Sequence, residues 1–292
     1  MSLWNSLIGT PYHQTFYDAG GIRTRVIEAG FENQMPLIFL HGTTGHAEGH
    51  VKNIAAHAEH FHVYAIDLIG HGFTDNPDID YGMQYYVDHL LAFMDAIGAE
   101  KAHIAGQSMG GSIAAWFAMR HPERVAKLTM NTGVPMQAPA DRHEGMRERV
   151  KMSIAARDAG TVRDREWTRA RLGRLMLNPD VSVTEELVDI RLMIYQDRPK
   201  TSNQITISSI SGLFAPDMYE EWYNPANLQK IESETLLIWT EHNPGQPLAL
   251  AQKVADLIPN AELAVIDNAA HWPQWENPEQ YNKVHLEFLL RS

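Results

Sequence analysis

An α/β fold around a mainly parallel sheet is what this sequence predicts, and three observations lead there. Short apolar runs alternate with longer helix-like segments across the first half of the chain. The runs are almost continuously apolar rather than alternating, and the same rhythm returns near the C-terminus. A strand covered on both faces needs apolar side chains at successive positions, and strand–helix alternation lays such strands parallel.

In chain order, PLIFLHG (36–42), FHVYAIDL (61–68), KAHIAGQ (101–107) and VAKLTMNTG (125–133) read as buried strands. Helices are expected between them, around residues 50–60, 82–98 and 109–121. ETLLIWT (234–240) and AELAVID (261–267) read as the late strands, with helices near 248–258 and 278–290. Residues 136–225 break the rhythm: EGMRERVKMSIAARDAG and VTEELVDIRLMIYQ place Arg, Glu and Met at helical spacing, with no strand-like alternation. This stretch is expected to be a helical cap, or lid, inserted after strand 6. Residues 1–135 and 226–292 then form the core.

Composition removes several classes of function. The 292 residues are 44% hydrophobic and 21% charged, as in ordinary globular proteins. With no cysteine, disulfides, thiolate metal sites and cysteine nucleophiles are excluded. A net charge of −12 argues against nucleic acid and anionic membrane surfaces as partners. No apolar run is long enough to span a bilayer, and no basic-then-apolar leader opens the sequence, so a cytoplasmic location is expected.

The chemistry concentrates in AGQSMGG (105–111), between a strand and a helix of small residues. Gly106 and Gly110 flank Ser108 two residues away on either side. A tight strand-to-helix turn of this kind lifts a serine hydroxyl to the sheet's C-terminal end, and the next backbone N–H, that of Met109, faces a developing oxyanion. The base expected for Ser108 is His271, just after the last strand. The loop HGTTGHAEGH (41–50) offers Thr43 or Thr44 as the second oxyanion donor. His46, Glu48 and His50 in that loop could hold a metal, but they lie on a glycine-containing loop rather than on one helix face. No metal and no cofactor are therefore expected. His57, His60 and His62 read as surface or packing residues.

These residues resemble the α/β-hydrolase superfamily over essentially the whole chain. More narrowly, HG (41–42), GQSMGG (106–111), TEELVDIRLMIYQ (184–196) and AHWPQWENPEQYN (270–282) resemble the meta-cleavage product hydrolases, which cut a carbon–carbon bond in dienoic acids made by ring fission of catechols. The resemblance implies that Ser108 is the nucleophile and His271 the base. It implies that Arg191 holds the substrate's carboxylate and 2-oxo end, with Trp272 lining the same pocket. Gly42, His50 and Gln107 are the other expected substrate-binding positions. A small organic acid is the implied partner, and a homodimer is an expectation because dimers are common in the family.

The chain departs from that pattern at three places. Gln107 stands where the family usually has Asn, and the 41–50 loop carries two threonines in place of a glycine-rich run. Asn243, in TEHNP, stands where the family has the Asp that orients the histidine. Three solutions compete: Glu241 replaces the acid, an acid such as Asp217 or Asp67 reaches in from elsewhere, or Asn243 itself fills the position. The leading reading is C–C hydrolysis. An esterase, lactonase or amide hydrolase is the alternative, and a degenerate ligand-binding protein is the third.

Overall fold

The computed structural model describes residues 2–137 and 140–291; residues 138 and 139 of the expected cap, with Met1 and Ser292, lie outside the described residues. Eight strands form one sheet in the order β1-β2-β4-β3-β5-β6-β7-β8. They are β1 (Tyr12–Ala19), β2 (Ile22–Ala29), β3 (Pro36–Leu40), β4 (His62–Ile66), β5 (Ala102–Gln107), β6 (Val125–Asn131), β7 (Glu234–Trp239) and β8 (Ala261–Val265). From β4 onward along that order the neighbours pair parallel, whereas β1–β2 and β2–β4 pair antiparallel.

The central strands bury both faces, which is why their sequences show no alternation. Along β3, Leu37 and Phe39 enter one apolar cluster with α1 (Val51–Ala58), while Ile38 and Leu40 enter the other. That second cluster also holds α2 (Met83–Ala96) and α3 (Met109–Arg120). The period-2 geometry of a strand thus splits one run between two layers.

The β1–β2 hairpin was not expected from the sequence. Edge strand β1, YHQTFYDA, is mostly exposed or half-buried. Its polar residues conceal it from any search for apolar runs.

Between β6 and β7 the described residues form helices and no strand. They are α4 (His143–Asp158), α5 (Arg165–Gly173), α6 (Pro179–Ser182), α7 (Glu185–Asp197) and α8 (Pro199–Ser211). After β7 come α9 (Leu248–Leu257), α10 (Pro273–Glu276) and α11 (Pro278–Leu289). No described helix is long and apolar enough to cross a membrane.

The α10 segment fastens the helical region to the sheet. Glu276 accepts hydrogen bonds from the backbone of Leu177 (2.8 Å) and Ala270 (2.8 Å), and the Trp275 indole donates to the Ser182 carbonyl (2.9 Å). The His271 N–H also donates to the Leu175 carbonyl at 2.9 Å. Loop 268–272 is therefore held from both sides.

Candidate active site

Ser108 lies at the turn from β5 into α3 with φ 56° and ψ −118°, a backbone region that non-glycine residues rarely occupy. The strain persists because the neighbouring chain is packed too closely to relax. A Cβ on Gly106 would stand 2.0 Å from the Gly110 carbonyl oxygen, and one on Gly110 would stand 2.4 Å from that of Leu40. Only glycine fits at either place. The turn leaves Ser108 just ahead of the first turn of α3, where the Met109 N–H has no carbonyl four residues back to bond.

His271 Nε2 lies 2.9 Å from Ser108 Oγ, and its Nδ1 lies 2.6 Å from Asn243 Oδ1. The amide's orientation follows from its other contact. Asn243 Nδ2 donates to the Gln246 carbonyl at 2.8 Å, an acceptor that leaves no choice of nitrogen or oxygen. Oδ1 must then accept from His271, so the ring carries its proton on Nδ1 and offers the Nε2 lone pair to the serine. That is the tautomer a general base needs. Gln246 is itself pinned, since its side chain bridges the backbone N–H and C=O of Val134, each at 3.1 Å.

Asn243 occupies the third position, and the other solutions are corrected. Glu241 is exposed on the same loop and makes no hydrogen bond or ion pair with His271 among the described residues. Asp217 is exposed as well. Asp67 is fully buried but engaged elsewhere, by Arg25 (3.3 Å), the Ala47 N–H (2.7 Å) and the Phe73 N–H (2.8 Å). Burial, and then the positive charge of Arg171, lower the His271 pKa to about 3. With no carboxylate at Nδ1, nothing offsets that desolvation, and the ring rests neutral.

Gln107, expected at the substrate, borders a small cavity beside Ser108 and directs its amide nitrogen to the His271 carbonyl (3.0 Å). Thr132 donates to the same carbonyl at 2.9 Å. Both residues position the histidine through its backbone. Gly42 and His50 border the same small cavity, where a Cβ on Gly42 would come 2.6 Å from Gln107 Oε1. His50 is buried, stacked on Phe39, and burial lowers its pKa to about 4.

Arg191, on α7, is 3% exposed. Its Nη1 donates to Thr44 Oγ1 at 3.2 Å, and Thr44 Oγ1 lies 3.1 Å from the Tyr195 hydroxyl. The guanidinium carbon is 5.9 Å from the Trp272 ring and 6.0 Å from that of Tyr195. Nε and Nη2 have no partner, and no carboxylate pairs with Arg191 among the described residues. A buried guanidinium cannot shed its proton and normally finds an acid. Here an uncompensated cation, a hydroxyl and a flat indole meet, although Arg191 itself lines neither the small cavity beside Ser108 nor the larger one beneath α4, α5 and α8.

Thr43, Thr44, Ser108, Met109 and His271 open onto a cavity of about 890 Å³ beneath α4, α5 and α8, within the range of small-molecule sites. Sequence reasoning missed several of its members. Tyr195 was read only as part of a helical stripe, and Arg171, which borders both cavities, was not singled out. The available signal was helical spacing: Trp167, Arg171 and Arg174 fall at i, i+4 and i+7 on one face.

A strained serine turn after β5, a histidine after β8 and helices inserted between β6 and β7 define a class, and the sequence agrees. The chain belongs to the alpha/beta hydrolase fold family, whose pattern matches residues 35–278. It is an α/β-hydrolase enzyme similar to hydrolases of ring-fission products. The 2-hydroxy-6-oxo-6-(2'-aminophenyl)hexa-2,4-dienoic acid hydrolase of Metapseudomonas resinovorans is 28% identical over 290 residues, 96% of this chain and 92% of its own length. A 2-hydroxy-6-oxononadienedioate/2-hydroxy-6-oxononatrienedioate hydrolase of Paraburkholderia phymatum is 31% identical over 267 residues, 87% of this chain and 86% of that one. The solved structure of a meta-cleavage product hydrolase from Pseudomonas fluorescens IP01 matches with a TM-score of 0.75 at 25% identity. That match covers 94% of this chain and 97% of the other.

Proposed function

We propose that the chain is a serine-dependent hydrolase that cleaves a C–C bond in a 2-hydroxy-6-oxo-2,4-dienoate, with no cofactor. The observation that supports this most is the buried, unpaired guanidinium of Arg191 beside Thr44 and Trp272. An ester without a carboxylate gives that cation no counter-charge, whereas a dienoate brings a carboxylate and a 2-oxygen suited to a guanidinium fork.

The helices between β6 and β7 act as the cap over the bound substrate. Its carboxylate end sits on Arg191 against Trp272, and the enol becomes the ketone. Ser108 Oγ then adds to the distal carbonyl carbon as its proton passes to His271 Nε2. The N–H groups of Met109 and of Thr43 or Thr44 receive the oxyanion. The C–C bond breaks with its electron pair leaving toward the 2-oxo end, which takes the proton from His271. Water, deprotonated by His271, hydrolyses the acyl-serine.

Asn243 fixes the tautomer but supplies no charge to the imidazolium, so the histidine is a weak base whose orientation is correct. Rapid loss of a dienoate's visible absorbance on mixing, abolished in Ser108→Ala, is the expected result. Decay unchanged in Ser108→Ala would sink the serine mechanism, and turnover of p-nitrophenyl esters alone would move the reading to an esterase or lactonase.

A further inference from the structure

Two cavities meet at Ser108: the small one beside it and the large one beneath α4, α5 and α8. Five residues border both, namely Thr43, Ser108, His271, Leu175 and Arg171. Ser108, His271 and Thr43 already have parts in the serine mechanism proposed above. Leu175 serves through its backbone, since its carbonyl accepts the His271 N–H at 2.9 Å. That leaves Arg171, a cation in the neck where the reacting carbonyl must lie. Arg149 on α4, with Arg163 and Arg174, lines the large cavity alone.

The other arginines of α5 show what Arg171 lacks. Arg165 pairs with Glu185 and Asp189, and Arg169 pairs with Glu185. Arg171 is half-buried and makes no hydrogen bond or ion pair among the described residues, none of whose Asp or Glu side chains lines either cavity. Its helix is held on both sides of it. Trp167, four residues earlier, packs edge-on to Tyr195 of α7 with ring centroids 5.6 Å apart. Leu175, four residues later, is the residue tied to the backbone of the base.

In the resting site this cation opposes the chemistry. After burial, its charge is what lowers the His271 pKa, and Asn243 brings no carboxylate to offset it. A cation that weakens the base and meets no acid gains a partner only when negative charge forms beside it. The serine mechanism makes such a charge in the neck. As Ser108 Oγ bonds to the carbonyl carbon, the C=O electron pair moves onto oxygen and the serine proton moves to His271 Nε2. A fixed cation at that oxygen favours the transition state over the resting state.

We propose that Arg171 is a further catalytic residue, its guanidinium holding the oxyanion at the carbon attacked by Ser108, together with the Met109 N–H. The inference rests on the serine mechanism proposed above and holds whether the bond cut is C–C or ester. A triad with an acid steadies the imidazolium; this one, with Asn243 in that place, steadies the oxyanion instead.

The test measures kcat and KM at neutral pH for wild-type, Arg171→Met, Arg171→Lys and Ser108→Ala protein. The substrates are p-nitrophenyl acetate and 2-hydroxy-6-oxo-6-phenylhexa-2,4-dienoate. Arg171→Met is expected to lower kcat by about 100-fold on both, the scale of one lost oxyanion donor, with KM little changed. Arg171→Lys keeps the charge and should recover part of the loss. A weaker base cannot produce that fall, because removing the charge raises the His271 pKa. An unchanged kcat on the ester overturns the proposal. So does a loss carried by KM, which would make Arg171 a binding group for the substrate's carboxylate. Full turnover in Ser108→Ala would instead overturn the serine mechanism, and this proposal with it.

If neither substrate turns over, calorimetry with phenylboronic acid decides. Ser108 Oγ bonds to boron, which becomes a tetrahedral anion as the serine proton passes to His271. Binding at least about tenfold weaker in Arg171→Met, and absent in Ser108→Ala, upholds the oxyanion contact. Equal affinity in Arg171→Met, or no adduct with wild-type protein, overturns it. Melting curves confirm that each variant is folded.

Discussion

Two buried arginines in this fold are treated in opposite ways. Arg25, on β2, is held by Glu48 (2.6 Å and 2.9 Å), Asp67 (3.3 Å) and Gln14 (2.8 Å), and His46 closes the group on Glu48 at 2.8 Å. Arg191 has one hydroxyl and two unpartnered nitrogens. The first set fixes the 41–50 loop, since Asp67 also accepts from the Ala47 N–H. The second ties α7 to Thr44 of the same loop by one hydrogen bond and meets no acid among the described residues. A cation with its counter-charges in place is architecture, and one without them is what the proposed function gives to a ligand.

The buried histidines make a third case. His50, His57 and His89 have burial-lowered pKa values of about 4, and that of His71 is lowered to about 3. A histidine without an acid loses its proton, an escape that arginine does not have. An uncompensated buried arginine is therefore more informative than an uncompensated buried histidine.

Acid should break the whole arrangement most strongly. The folded-state pKa of each of these histidines lies below the unfolded value of about 6.5, so the unfolded chain binds more protons as pH falls. Their contribution is fully present above that value and is lost progressively from about pH 6.5 down to about 4, and to about 3 for His71, at up to about 1.4 kcal/mol per pH unit for each group. Denaturant midpoints across that window are expected to fall steeply. A flat profile would mean that these rings are not held neutral.

Breaking the countered set comes next. Arg25→Met strands Glu48 and Asp67 in the interior and is expected to destabilise by about 3–5 kcal/mol, visible as a lower urea midpoint. Asn243→Asp places a carboxylate on His271 Nδ1 and should raise the ring's pKa from about 3. The acid limb of kcat/KM is expected to move up by at least about one pH unit. An unmoved limb would show that His271 is not the group being titrated. The smallest effect is Arg191→Met, which removes an unpaired buried cation and should leave the melting temperature unchanged or slightly raised. A loss comparable to that of Arg25→Met would mean that Arg191 is structural.

How much of this the sequence shows depends on what each residue's role requires. The strands around Ser108 are legible because burial on both faces dictates continuous apolar character, and the nucleophile turn because only glycine fits beside it. β1 is hidden because an exposed edge strand need not be apolar. The α4 and α5 arginines are hidden because a polar helix stripe looks the same facing water or facing a cavity. Glu241 was a reasonable rival to Asn243 by charge alone. The deciding fact, that the Gln246 carbonyl turns the amide oxygen toward the histidine, belongs to the loop's conformation rather than to any residue type.

The central claim is that Arg191 is kept open for the carboxylate of a substrate opened by Ser108. The direct test is kcat/KM of wild-type and Arg191→Gln protein on a 2-hydroxy-6-oxo-dienoate and on a neutral p-nitrophenyl ester. The account predicts a loss of roughly 10- to 100-fold on the dienoate, from a missing charged hydrogen bond, and little change on the ester. Equal losses on both substrates, or none on the dienoate, would contradict it.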